Sequence, residues 1–443
     1  MKSMKRIIKF TLQIFLLVLT IFTLASCGED ENVEVDSEGN TIVKIVFHVN
    51  ESTAEGQAYK KRIAAFNQAY KDKKIKASAS YVARTTGAGS FETSLTQQKL
   101  EGTLPDIITF DAPNCASYAN AELLYKLDGL VSDEVLEDFI SVADYNNSIY
   151  GLPIQESSAG FFYNKKIFAE AGIDVSGYTV DNPWTFDQFM DVCNRLKNFQ
   201  ESHGYKKYPV DMRLDATQDE MATYMLYSFI YAAGGDFISA DGFTATGYLN
   251  SSASADGFRF IQNLVSNGYT GYDIGATDFF NGKIGMYLSS GWTIPQLDKE
   301  YREFFPNGRD SWGLLPYPKG TTAASATGSW CFGLTDNGKA KDAAVELLLW
   351  LTSPESSEVI TAATGMIPAR KSVETNYAVN SPEYVLYNQL LKTGKARPAT
   401  VGYPKFSVIF RQIIAELKSG NVEDILNSKT TALQSELDIL NKK

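Results

Sequence analysis

Histidine is almost missing: His48 and His203 are the two in 443 residues, and no HExxH surrounds either. That argues against a histidine-rich metal centre and against a histidine-based triad. No GxSxG nucleophile elbow and no GxGxxG fingerprint occur. The stretch GLTDNGKA, from Gly333 to Ala340, approaches a phosphate loop but places Ala340 where a hydroxyl must meet Mg²⁺. It reads as a turn between strand and helix. Neither a metal nor a cofactor is expected. Cysteine is also scarce, with four residues. After Cys27 an odd three remain, Cys115, Cys193 and Cys331, without a CxxC spacing, so no disulfide is expected. Positive charge is in deficit, at a net −11. An acidic surface repels nucleic acid and offers anionic lipid no basic patch.

One long apolar run exists. Lys2, Lys5, Arg6 and Lys9 lead into an uncharged stretch from Phe10 to Ala25, short of the ~20 residues a membrane span needs. Leu24-Ala25-Ser26-Cys27 follows. Basic start, apolar centre and small-residue end make residues 1–26 a secretory signal. Its final four residues have the form of a lipobox, with Cys27 as the acylated first residue of the mature chain. Residues 27–40, rich in Glu, Asp, Gly and Asn, are too polar to build a core and are expected to form a flexible tether.

From Thr41 onward, strand-like and helix-like stretches alternate, which implies an α/β fold with a largely parallel sheet. Thr41–Val49, Ser78–Arg84 and Ile107–Phe110 read as strands, with amphipathic segments at Ala54–Tyr70 and Phe91–Leu100. The rhythm restarts at Gly160–Tyr163. Thr185 and Gln188 form a capping box before Phe186–Lys197. Ser353-Pro354 and Ser381-Pro382 mark two later helix starts.

Aromatic residues are plentiful: 24 Tyr, 26 Phe and 5 Trp. Most rings will be core. Trp292, after Ser289-Ser290-Gly291, and Trp330, after Thr327-Gly328-Ser329, stand instead beside turn residues near strand ends, where the clefts of α/β sheets open. A sugar offers an apolar CH face to a ring and an edge of hydroxyls to Asp, Glu, Asn or Arg. Paired carboxylates among 52 acids leave an exported glycosidase as the alternative.

Several blocks taken in order carry a family resemblance. They are Leu104-Pro105-Asp106-Ile107, Ile149-Tyr150-Gly151-Leu152-Pro153, Phe162-Tyr163-Asn164-Lys165-Lys166, Pro183-Trp184-Thr185-Phe186, Phe280-Asn281-Gly282-Lys283-Ile284-Gly285-Met286, and Thr364-Gly365-Met366-Ile367-Pro368-Ala369-Arg370. The chain resembles the family 1 extracellular solute-binding proteins, the group that includes the maltose-binding protein. The resemblance implies a two-lobed periplasmic-binding-protein-like fold (type II) with the ligand cleft between the lobes. Residues 41–153 plus 331–366 would form lobe 1, and 154–330 plus 367–443 lobe 2. It implies no catalysis. A lipid-anchored, extracytoplasmic monomer would capture a solute, a carbohydrate in the first instance, by hinge closure and pass it to the transmembrane subunits of an ABC permease. A polyamine or other solute on the same fold stays open.

Carried over by position, the resemblance implies ligand contacts at Glu51 after the first strand, at Phe110 in the place of a stacking Trp, and at Asp111 beside it. It adds Glu156, Ser157 and Ser158 at the first lobe crossing, Tyr224, the stacking ring Trp292, and Tyr403. Trp330 and Arg370 complete the candidates. Ala222 stands where a ligand acid would be expected, so a malto-oligosaccharide is not implied.

Overall fold

A computed structural model describes residues 33–84, 90–214, 220–336 and 338–442. Segment 1–26 and Cys27 lie outside the described residues. The acidic stretch does not run free as far as Asn40. Val35 pairs with Thr41, and the Asp36 carboxylate accepts from the Asn40 amide nitrogens at 3.0–3.1 Å, closing a turn onto the first strand.

Among the described residues ten strands follow: β1 Thr41–Phe47, β2 Ile75–Tyr81, β3 Ile107–Asp111, β4 Ala143–Tyr145, β5 Ser148–Asn164, β6 Val210–Asp211, β7 Met286–Ser290, β8 Trp312–Leu315, β9 Ser325–Leu334 and β10 Gly394–Lys395. Their main order is β2-β1-β3-β9-β5-β7-β6, with β4 and β8 on β5 and β10 on β9. β1 is parallel to both β2 and β3, each joined through a helix. β9 runs antiparallel to β3, and β5 antiparallel to β9, β7 and β8. The sheet is therefore mixed, not largely parallel: β5, the longest strand, runs antiparallel to every strand it pairs with, and β9 to both of its main neighbours.

Those two strands link separate cores. Alternate residues of β1, β3 and the end of β9 feed two apolar clusters, one on each sheet face: Val43, Ile45, Phe47 and Phe332 in one, Ile108, Phe110 and Cys331 in the other. Beyond the crossing, Phe161 and Leu288 point into a third cluster while Phe162 and Tyr287 point into a fourth. Each lobe is thus a sheet covered on both faces. Trp330 and Ala369 pack on the first of these cores, and Arg370 bridges to Phe139 there, so these residues are counted with the first lobe and not, as expected from the sequence, with the second. Between the cores, Gln155, Glu156, Ser157 and Ser158 of β5 lie opposite Thr327–Trp330 of β9, and all four are buried polar residues. Ile367 supplies a third crossing, exchanging backbone hydrogen bonds with Glu156 at 2.8 and 3.0 Å. A polar ribbon separates two apolar masses, which lets the masses pack independently.

Local chemistry explains the helix ends. Thr185 accepts from the Gln188 amide while the Gln188 side chain accepts from the Thr185 amide. Ser353 and Ser381 cap helices that open on proline. Gly172 ends helix Lys165–Glu170 at φ +66°, and the Ile173 amide returns to the Phe168 carbonyl at 2.8 Å. Cys115, Cys193 and Cys331 are free and buried. No helix among the described residues is long and apolar enough to cross a membrane.

Candidate functional site

β1, β2 and β3 all point their carboxyl ends at the crossing, and open α/β sheets bind ligands at that edge. Four side chains gather there. His48 follows β1, its amide donating to Thr109 Oγ1 at 2.7 Å. Its ring stacks on Phe91 at 4.1 Å and meets Trp330 edge-on at 5.5 Å. Burial, helped by nearby Arg84, lowers its pKa to about 4, so the imidazole is neutral. Arg84 lies 3.9 Å over the Trp330 ring and pairs with Glu55 at 2.9 Å. Asp111 ends β3 directly opposite Trp330.

The second lobe contributes the facing wall. Trp292 is the half-buried residue before helix Thr293–Lys299, its ring 6.0 Å from that of Tyr224. Its position is set by a close approach of two backbones: a Cβ on Gly291 would lie 2.2 Å from the Gly365 carbonyl oxygen. The turn bearing Trp292 is thereby clasped to the third crossing. Tyr224 pairs with the Ser157 hydroxyl at 2.7 Å, and Ser157 donates to the Gly328 carbonyl at 2.5 Å.

Arg397 completes the floor. Its Nη atoms donate to both Asp111 oxygens at 2.8 Å, and Nη1 also reaches Glu220 at 2.8 Å. Its carbon Cζ is 5.3 Å from the Tyr224 ring centre. Tyr403 and Ser407 both donate to the Glu220 carboxylate. Burial works against the charge on Arg397, but Asp111, Tyr403 and Glu220 outweigh it, and the guanidinium is held protonated. Its buried Nε, and the Ser158 hydroxyl, have no partner within the protein.

The structure thus joins Asp111, Ser157, Tyr224, Trp292, Trp330 and Tyr403 through Arg397 and β9. Other sequence candidates lie elsewhere. Phe110 is 1% exposed and packs in the first lobe near Tyr118; it shares the Ile108 face of β3, which is core. Arg370 is buried, donating to the Thr352 and Val135 carbonyls at 2.8 and 2.7 Å. These two placements correct the sequence reading: both residues serve packing. Glu51 sits in the turn after β1, paired with Lys60 at 2.6 Å. Glu156 is buried in the ribbon, where burial raises its pKa to about 7 against an opposing bond from Ser141.

Sequence reasoning missed Arg397, Glu220, Arg84 and His48. Glu220, two residues before Ala222, is the acid that this helix brings to the cluster, where it accepts from Arg397, Tyr403 and Ser407. A lone arginine between Lys395 and Pro398, in a loop of Gly, Ala and Pro, was the available signal. Among the described residues no group of three His, Cys, Asp or Glu could hold a metal ion. A shallow depression of about 380 Å³ along helix Phe186–Ser202, lined by Asp174, Trp184, Asp187 and Asp191, shares no residue with this cluster.

The sequence pattern of the bacterial extracellular solute-binding proteins matches residues 61–386. The galactooligosaccharide-binding protein of Bacillus subtilis is 22% identical over 386 residues, covering 84% of this chain and 83% of that protein. The crystal structure of the cyclic α-maltosyl-1,6-maltose binding protein from Arthrobacter globiformis superposes with a TM-score of 0.74 at 22% identity, covering 90% and 99% of the two chains. UgpB from Mycobacterium tuberculosis, in complex with glycerophosphocholine, gives 0.70 at 20% identity, with 90% and 99% covered. These likenesses establish the two-lobed fold, and the matched span exceeds half of the sequence: the chain belongs to the bacterial extracellular solute-binding proteins.

Proposed function

We propose that the chain is the substrate receptor of an ABC importer, closing its two lobes on an oligosaccharide. The observation that carries this is a pair of indoles, Trp330 on one lobe and Trp292 on the other, joined by the polar cluster Asp111–Arg397–Glu220–Tyr403. Rings take the CH faces of a sugar, and charged hydrogen-bonding groups take its hydroxyls. Two buried polar groups without a protein partner, Arg397 Nε and Ser158 Oγ, suit a ligand rich in oxygen, since a buried donor left unpaired is costly.

The carboxylates here already face cations: Glu55 meets Arg84, Glu51 meets Lys60, and Asp111 and Glu220 share Arg397. That favours a neutral ligand over a polyamine. Glycosidase work needs a pair of carboxyls across the scissile bond, whereas among Glu51, Glu55, Asp111, Glu156 and Glu220 only Glu156 faces no cation, and it is buried in the ribbon between the lobes. A monomer anchored outside the cytoplasm through acylated Cys27, and docking on permease subunits, completes the reading.

Isothermal titration with maltotriose, a galacto-oligosaccharide, glycerophosphocholine and spermidine tests it. Saccharide binding that weakens in Trp292→Ala is the expected result. Tight binding of glycerophosphocholine or spermidine, with every saccharide silent, overturns the sugar assignment and leaves the fold untouched.

A further inference from the structure

The cleft floor holds one group that is bonded to both lobes. Arg397 belongs to the loop between β10 and helix Tyr403–Glu416, in the second lobe, and its side chain is 3% exposed. Both Nη atoms engage Asp111 of the first lobe in a two-pronged pair, each bond 2.8 Å long. Nη1 bonds Glu220 of its own lobe. The guanidinium rests on the hinge ribbon itself: a Cβ on Gly328 would come within 2.9 Å of Nη2 and 3.2 Å of the Tyr224 ring. Glycine at 328 is what leaves room for it. Other ion pairs, such as Arg62–Glu355, Arg84–Glu55 and Arg309–Asp298, stay within one lobe, and so does the buried pair Arg370–Asp138, whose neighbours Ala369 and Phe139 share the first lobe's core.

A planar guanidinium fits a carboxylate at two points at once, so this pair fixes orientation as well as distance. Being buried, it is little screened by salt. Parting the lobes must separate Asp111 from Arg397, whereas Glu220 and Tyr403 travel with the arginine. We propose that Arg397 is the closure clamp of the cleft, a positioning residue that sets the balance between closed and open forms through Asp111. The proposal rests on the two-lobed closing reading above, and it assigns part of the closing free energy to the protein. A ligand then adds its differential affinity to a balance that is already biased.

The test is an inter-lobe distance measured by pulsed electron spin resonance on the full acylated chain in lipid nanodiscs, with no ligand added. Spin labels go on Ser94→Cys and Lys405→Cys, exposed sites on facing lobes; Cys115, Cys193 and Cys331 are buried and escape labelling. The otherwise unaltered chain should give a short distance, with Asp111→Asn and Arg397→Gln both shifted to longer ones. Arg397→Lys should fall between, since an ammonium cannot bridge two oxygens in the same way. Glu220→Gln should leave the distance unchanged. Circular dichroism checks that each variant is folded, and Asp111→Asn, being isosteric, keeps the test open if an Arg397 variant is not. A wild-type distance in Asp111→Asn overturns the clamp. Saccharide titration of the same samples separates the two readings: unmoved distances with intact sugar binding remove the clamp alone, and lengthened distances without sugar binding remove the sugar alone.

Discussion

The two walls of the cleft are built in different ways. The first lobe offers strand ends: His48, Arg84, Asp111 and Trp330 sit on or just beyond β1, β2, β3 and β9. Ladder hydrogen bonds fix the strands, and stacking locks the side chains, with His48 against Phe91 and Arg84 over Trp330. The second lobe offers helix starts and loops: Trp292, Tyr224, Arg397 and Tyr403. No ladder holds these. Tyr224 and Tyr403 are anchored by their helices and the second lobe's core, while the turn of Trp292 is held by one backbone-to-backbone contact, Gly291 on Gly365, and side-chain hydrogen bonds such as Ser157–Tyr224 align the rest. A wall of strand ends is rigid by construction. A wall of turns depends on a few contacts, so single substitutions should damage it more.

The sharpest way to break that contrast is Gly291→Ala. Its methyl would sit 2.2 Å from the Gly365 oxygen, so backbone must move, at a cost of about 3 kcal/mol. Urea unfolding should register that loss, and saccharide affinity should fall with it. A midpoint equal to wild type would show that the second wall is not set by this contact.

Between the walls stands Glu156. Its carboxyl is raised by burial from 4.5 to about 7, so the unfolded chain releases this proton at lower pH than the folded one. Its contribution to stability is full below about pH 4.5 and fades as pH rises through 7. At ~1.4 kcal/mol per pKa unit, the change amounts to about 3 kcal/mol. Urea midpoints at pH 5, 6, 7 and 8 should fall in wild type relative to Glu156→Gln. Parallel profiles would remove Glu156 as the source.

The same contrast explains what could be read from sequence. Strand ends were legible after β1 and β3 because apolar alternation and flanking turn residues mark them locally; Asp111 came through the family resemblance, and Trp330 was read beside a turn although Thr327–Ser329 continue β9. Helix starts were legible wherever the cap lies within three residues, as at Thr185, Ser353 and Ser381. The full length of β5 was not. Its middle, Gln155 to Ser158, is polar and broke the pattern, leaving only Gly160–Tyr163 visible as a strand. Polar residues are what a hinge between two cores requires, so the pattern failed where function intervened. Arg397 was hidden for another reason: Asp111 and Glu220 are 286 and 177 positions away. Phe110 could have been placed from the two-residue period of β3, which puts it with Ile108 in the core.

A direct comparison of the walls comes from the two indoles. Trp330 already has Arg84 over its ring and His48 at its edge, so it has less surface left for a ligand. Trp292 is half-buried, with Tyr224 beside it at 6.0 Å. Trp292→Ala should weaken saccharide binding about 30-fold, or about 2 kcal/mol. Trp330→Ala should cost about 5-fold, near 1 kcal/mol. Titration calorimetry on both variants decides the order. A larger loss at Trp330 would make the strand-end wall the main platform and reverse the comparison.

The smallest effect should come from Glu51, and it sets the limit of the first wall. The side chain is 46% exposed and bound to Lys60, itself 60% exposed, and surface pairs of this kind contribute ~0–1 kcal/mol. Thr53, not Glu51, caps the following helix, so Glu51→Gln has little structural to lose. Unfolding midpoints should stay at the wild-type value, and saccharide affinity should change less than about twofold, the equivalent of ~0.4 kcal/mol. A tenfold loss of affinity at an unchanged midpoint would mean that ligand reaches past Asp111 and Trp330 to the turn after β1. The first wall would then extend beyond its strand ends, and rigidity of the sheet edge would no longer account for how that lobe holds its share of the ligand.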